Sequence, residues 1–113
     1  MKKFIYKICL NSEWIDAQKK KIFNGSKKDN LDGYIHFSEK DQVKSTLSRH
    51  FLNIDKLVLL KVETSNLKKL IWEKSLDGLM FPHLYSYLEI SNVINTYKII
   101  LDKDGSHILP SNF

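Results

Sequence analysis

The chain has 113 residues, 42% of them hydrophobic and 27% charged, with a formal net charge of +5. That length suits one domain spanning 1–113, and a chain of this size buries roughly two thirds of its unfolded surface, enough for a core without covalent staples. The single cysteine, Cys9, excludes an intramolecular disulfide and a cysteine-rich zinc site. No apolar stretch approaches the roughly 20 residues of a membrane helix.

The opening Met1-Lys2-Lys3 followed by Phe4 to Leu10 looks superficially like a secretory signal. Lys7 breaks its apolar run and no small-residue cleavage site follows before Trp14, so a cytoplasmic protein without a membrane partner is expected. Seventeen of the 18 basic residues are lysines, scattered in doublets and triplets, and the only arginine is Arg49. Readers of phosphate and base edges favour the planar arginine fork, so the charge reads as a solvated surface more than as a nucleic-acid face.

In chain order, Phe4 to Leu10 reads as a first strand. Ser12 is placed to cap a helix through about Lys21, with Glu13 and Asp16 near its positive end, Lys19 to Lys21 near its negative end, and Trp14 and Ala17 facing inward. Asn24 to Asp32 is polar and reads as a loop closed by Gly33. Tyr34 to Phe37 reads as a short strand, and Ser38 as the cap of a helix from about Glu39 to Leu52 whose apolar face carries Val43, Leu47 and Phe51. Leu57 to Val62 is nearly all apolar, as a central strand would be. A turn at Asn66 to Lys69 and a strand at Leu70 to Lys74 follow, with a turn at Asp77-Gly78. Phe81 to Leu88 reads as extended around Pro82, Ile90 to Asn92 as a helical turn, and Val93 to Leu101 as the last clear strand before Asp104-Gly105. Two helices and about five strands, most of them late, give an α+β domain.

Three groups carry candidate chemistry. His36 shares a strand face with Tyr34, away from Ile35 and Phe37, at the end of a strand leading into a helix N-terminus. With Ser38 it forms either an anion or nucleotide site or a plain sheet residue beside a cap. Phe81, His83 and Tyr85 project together if extended, a trio able to stack a flat ring and bond its polar edges, or to satisfy a buried corner. Trp72-Glu73 sets a carboxylate beside an indole, an arrangement that raises a carboxyl pKa where the ring buries it. His50 and His107 stand apart as structural or exposed residues, Cys9 as a buried inert thiol, and no ligand spacing calls for a metal.

Together, Asp32-Gly33-Tyr34-Ile35-His36-Phe37-Ser38 with Gln42-Val43, Leu57 to Val62, Trp72-Glu73 and Phe81-Pro82-His83-Leu84-Tyr85, preceded by Lys7-Ile8-Cys9 and Trp14, resemble the domain of unknown function 952 family. The likeness runs over about residues 4–100, leaving a short C-terminal tail. The family has no settled activity, and its fold is similar to that of ADP-ribosyltransferases. The resemblance therefore implies a small α+β domain with two crossed, mainly antiparallel β-sheets, flanking helices and a cleft that holds NAD in true members. On that basis His36-Phe37-Ser38 looks like the His-x-Ser/Thr motif that holds the nicotinamide ribose. His36 would bond a ribose hydroxyl, Ser38 would support the strand-to-helix turn or the nicotinamide side, and Tyr85 would stack, with Phe81 and Trp72 lining the ligand. Glu73 or His83 would orient a 2′-hydroxyl or activate an acceptor, with Glu89 as the competing carboxylate. The resemblance thus implies an NAD- or ADP-ribose-handling transferase or hydrolase, with NAD as substrate and no resident cofactor. The alternatives are a non-catalytic module that senses a nucleotide or small metabolite, and an interaction domain that uses the lysine surface.

Overall fold

The computed structural model describes residues 2–113; Met1, the first residue of the signal-like start, lies outside them. The protein is a small mixed α+β domain in which every strand pair is antiparallel. Strands β1 (Phe4–Leu10), β4 (Leu57–Glu63), β8 (Val93–Leu101) and β9 (His107–Ile108) form one sheet in the order β1-β4-β8-β9. Strands β3 (Ile35–His36), β6 (Met80–Leu84) and β5 (Leu70–Lys74) form a second, in the order β3-β6-β5. A two-residue ladder, β2 (Ile22–Phe23) with β7 (Leu88–Glu89), makes a third where two were expected. The helices are α1 (Asn11–Lys20), α2 (Lys27–Asp32) and α3 (Val43–His50), with 3-10 turns at Lys40–Gln42 and Ile90–Asn92.

The main sheet is buried on both faces, which is why β4 reads as a continuous apolar run. Ile5, Cys9, Val58, Leu60 and Val62 pack with Trp14 and Ala17 of α1 and with Phe23, Ile35, Phe37, Leu84 and Leu88. Tyr6, Ile8, Leu57, Leu59, Tyr97 and Ile99 pack on the opposite side with Val43 and Leu47 of α3. Each large aliphatic side chain fully buried here contributes roughly 1.5–3 kcal/mol.

The two larger sheets meet just after β3. Tyr6 and Ser38 exchange backbone hydrogen bonds, both of 2.8 Å, and the Phe37 N–H donates to the Pro82 carbonyl at 3.0 Å. His36 therefore sits two residues before the seam, on an edge strand paired with β6.

Four expectations are corrected. The segment Asn24 to Asp32 is not all loop: Ser26 caps α2, its Oγ accepting from the Asp29 N–H at 3.1 Å while Asp29 Oδ2 accepts from the Ser26 N–H at 2.8 Å. This reciprocal pair is a capping box closed by an aspartate. Helix α1 starts at Asn11, one residue before Ser12, with the Glu13 carboxylate accepting from the Leu10 N–H at 2.8 Å in place of the expected Ser12 cap. Ser38 is no cap either; Glu39 occupies that position, its N–H donating to Gln42 Oε1 at 2.9 Å, and the expected long helix divides into a 3-10 turn and α3. The extended run from Phe81 is interrupted at Tyr85 to Tyr87, between β6 and β7. No helix among the described residues is long and apolar enough to cross a membrane.

Candidate functional site

The pairing register of the second sheet brings the candidate residues to one face. His36 lies opposite His83, Ile71 opposite His83 on the other side, and Glu73 opposite Phe81. Directly opposed residues of antiparallel strands share a face, and alternate residues return to it. The His36, His83, Glu73 and Phe81 side chains consequently share one surface, while Ile35 and Leu84 point into the core.

Tyr34 joins them from the turn before β3. Its ring stacks on His83 with centroids 4.1 Å apart at 26°, and lies 4.6 Å from His36 and 5.2 Å from Tyr85. The two imidazoles are edge to face at 5.5 Å. Each imidazole is also held by a carboxylate. His83 Nδ1 lies 2.8 Å from Glu73 Oε1, which also accepts from the Tyr85 hydroxyl at 2.6 Å. His36 Nδ1 lies 2.5 Å from Asp29 Oδ1, and its Nε2 lies 3.0 Å from Asp32 Oδ2. An ionised carboxylate only accepts, so each imidazole nitrogen facing one donates to it: Nδ1 of both rings, and Nε2 of His36 towards Asp32 when that ring is protonated.

The electrostatics follow from those contacts. Hydrogen bonds from Tyr85 and then His83 hold the Glu73 carboxyl below its usual range. The same bond to Glu73, with some desolvation, pushes the Tyr85 phenol up to about 12. Glu73 is therefore an ionised acceptor at neutral pH, the reverse of the raised carboxyl expected beside Trp72. The reason is strand alternation: Trp72 pairs with Pro82, packs on the core from the other face and donates its indole N–H to Glu39 Oε2 at 3.0 Å. Trp72 therefore lies on the opposite strand face from Glu73 and His83.

Ser38 is also elsewhere. It is buried at the seam, its Oγ 3.0 Å from Thr46 Oγ1, where it ties the end of β3 to α3. His107 lies on β9, with its Nε2 donating to the Ile54 carbonyl at 2.7 Å, and Glu89 lies on β7 opposite Ile22. Cys9 is buried, and burial pushes its thiol up to about 12, so it stays protonated.

Sequence reasoning missed Asp29, Asp32 and Lys7. Asp29 is buried at 2% exposure and its carboxylate accepts four bonds: from the Ser26 N–H, the His36 N–H, His36 Nδ1 and Lys7 Nζ, the last at 2.8 Å. Burial alone would raise its pKa, but the His36 bond and the Lys7 charge outweigh it and hold the carboxyl well below the usual range. The available signal was Ser26-Lys27-Lys28-Asp29 followed by Gly33, a capping box and a left-handed helix stop.

A cavity of about 270 Å³ opens beside this face, lined by Asp29, Asn30, Gly33, Tyr34, Tyr85 and Ser86 among others. A larger, more open depression of about 640 Å³ lies against Lys2, Lys3, Phe4, Lys40 and Phe113 and contains none of the imidazoles. The smaller cavity is lined by Asp29, Tyr34 and Tyr85 but by neither imidazole nor Glu73, which Tyr34 and Tyr85 contact. Among the described residues no group of three or more potential ligands could hold a metal ion.

Fold and site define a small antiparallel α+β protein with an imidazole, phenol and carboxylate face at a sheet junction. The chain belongs to the DUF952 family, described as proteins of unknown function, whose model matches residues 8–96. It is similar to protein CC0527 from Caulobacter crescentus in its crystal structure, with 40% identity over 93% of both chains and a TM-score of 0.88. The solution NMR structure of CC0527 agrees at 41% identity over 91% of this chain and 90% of that one, with a TM-score of 0.80. No curated protein matches the chain.

Proposed function

We propose that the His36 face binds one end of NAD or ADP-ribose and that the protein transfers or hydrolyses the ADP-ribosyl group, in the manner of an ADP-ribosyltransferase-like cleft. The observation that carries this reading is the convergence of His36, Tyr34, His83, Tyr85 and Glu73 on one sheet face, of which Tyr34 and Tyr85 also line the cavity. The rings offer stacking surfaces for a flat base, and the imidazole nitrogens offer polar partners for ribose hydroxyls. At about 270 Å³ the cavity falls just below the range that encloses a whole drug-sized ligand, so it would take a ring or ribose and leave the pyrophosphate outside.

On this reading Glu73 is the catalytic residue. Tyr85 and His83 both bond Oε1, leaving Oε2 for the ligand. An ionised carboxylate there stabilises positive charge at the ribose C1′ as the C1′–N bond breaks and its electron pair leaves with nicotinamide. Water or an acceptor hydroxyl then bonds to C1′ and releases its proton. Because Glu73 is held ionised, its part is electrostatic, and proton removal falls to the outward Nε2 of His83. The protein works in the cytoplasm on this account, consistent with its one free thiol.

The test is nicotinamide release from NAD, followed by chromatography. Release by the native protein, reduced about 100-fold or more in Glu73→Gln, is expected. Saturable binding of NAD with no nicotinamide released would make the protein a binding module, and no binding at all would overturn the reading.

A further inference from the structure

The pair Lys7–Asp29 lies behind the site, not in it. Lys7 points from β1 into the core face that carries Ile5 and Cys9, and with Asp29 it forms an ion pair whose side chains are only 5% and 2% exposed. Such a pair is costly to bury, and replacing it by apolar residues is often neutral or stabilising, so stability alone is a poor reason to keep it. What distinguishes this pair is its third member. The Asp29 oxygens are divided: Oδ2 takes Lys7 Nζ and the Ser26 N–H, and Oδ1 takes the His36 N–H and His36 Nδ1.

We infer that Lys7 and Asp29 are positioning residues, which fix the His36 ring with its Nδ1–H on Asp29 and its Nε2 towards Asp32, as the nitrogen that meets the ligand. Lys7 keeps Asp29 charged and anchored to the main sheet, and Asp29 fixes both the backbone and the ring of His36. A second imidazole, His83, is held in the same way, through its Nδ1, by Glu73. Asp32, at the exposed end of α2, occupies the outward position at 3.0 Å from Nε2 and is itself held by Lys28 at 3.0 Å. A ligand hydroxyl takes the place of Asp32 on binding. The charged and titratable groups facing His36 are thus Asp29, Asp32 and Lys28 from α2, Tyr34 from the turn before β3, Lys7 from β1, His83 from β6 and, more distantly, His50 at the end of α3. The ligand role of Nε2 rests on the reading under Proposed function; the ring lock does not.

Nitrogen-15 NMR of the imidazoles, titrated from about pH 5 to about pH 9, reads the lock without any ligand. In the native protein Nδ1 of His36 carries a proton, donated to Asp29. In the Lys7→Met, Asp29→Leu double variant, which removes both buried charges and the acceptor of the His36 Nδ1–H, the Nδ1 preference is lost and ADP-ribose binding weakens about tenfold, the worth of one hydrogen bond. A native His36 whose Nδ1 carries no proton overturns the inference, and so does a folded double variant with unchanged His36 nitrogen shifts. If the double variant does not fold, the native titration decides alone. A locked native ring with no nucleotide binding leaves the lock standing and removes the ligand reading.

Discussion

Removing one charge of the Lys7–Asp29 pair is the most informative stability experiment. In Asp29→Asn, the Lys7 ammonium stays buried with its carboxylate partner gone, since Asp29 is its one salt-bridge partner among the described residues. In Lys7→Met the carboxylate keeps the Ser26 and His36 donors, so the loss is smaller. Breaking a buried pair from one side costs about 3–5 kcal/mol. Against a total stability of about 5–15 kcal/mol for a domain, that lowers Tm by about 10–20 °C. The Lys7→Met, Asp29→Asn double variant leaves no uncompensated charge and recovers most of the loss, giving a coupling of a few kcal/mol. Urea denaturation of the four proteins measures the cycle. Single variants each within about 1 kcal/mol of the native protein would match an exposed ion pair and refute the reasoning.

Three further outcomes follow from the same contacts. Unfolded aspartate takes up its proton near about pH 3.9, whereas Asp29 keeps its charge to lower pH in the folded state. Unfolding therefore binds a proton below about pH 4, and Tm should fall with pH there, less steeply in the double variant; a pH-independent Tm in acid would contradict this. Ultraviolet titration should show a phenol ionising at about 12, returning towards 10.0 in Glu73→Gln, and no change on that substitution would exclude the Tyr85–Glu73 bond. Gly25 has φ +99°, and a Cβ there would lie 2.8 Å from Asp29 Cβ, whereas one at Gly33, φ +87°, meets nothing within 4 Å. Gly33→Ala should cost about 1–2 kcal/mol from the left-handed backbone alone, and Gly25→Ala more, with displacement of Asp29; equal Tm losses would contradict the packing argument.

The long elements were legible because one physical signal dominates each. The apolar run of β4 marks a strand buried on both faces, and Val43 and Leu47 recur at helical spacing along α3. What was lost turned on context. Helix α2 is a short polar segment, and its capping box was outweighed by a turn-rich composition. Lys7 reads as an interruption in an apolar strand, and only the fold shows that a carboxylate 22 positions later meets it. Half of the site came from alternation: Tyr34 with His36, and His83 with Tyr85, share a face as their spacing requires. The same alternation separates Trp72 from Glu73, so sequence neighbours were mistaken for spatial ones. Ser38 looked like a helix cap because it precedes a helical segment, but its backbone is spent on Tyr6 at the sheet seam.

The most direct test of a nucleotide site at the His36 face is ligand-induced stabilisation of the native protein and of His36→Ala. With NAD or ADP-ribose at about 100 times Kd, binding to the folded state adds about 2.7 kcal/mol, a Tm rise of about 10 °C in a domain of this size. The account predicts that rise in the native protein and its loss in a folded His36→Ala variant. No rise with either ligand, or an equal rise in both proteins, would contradict it.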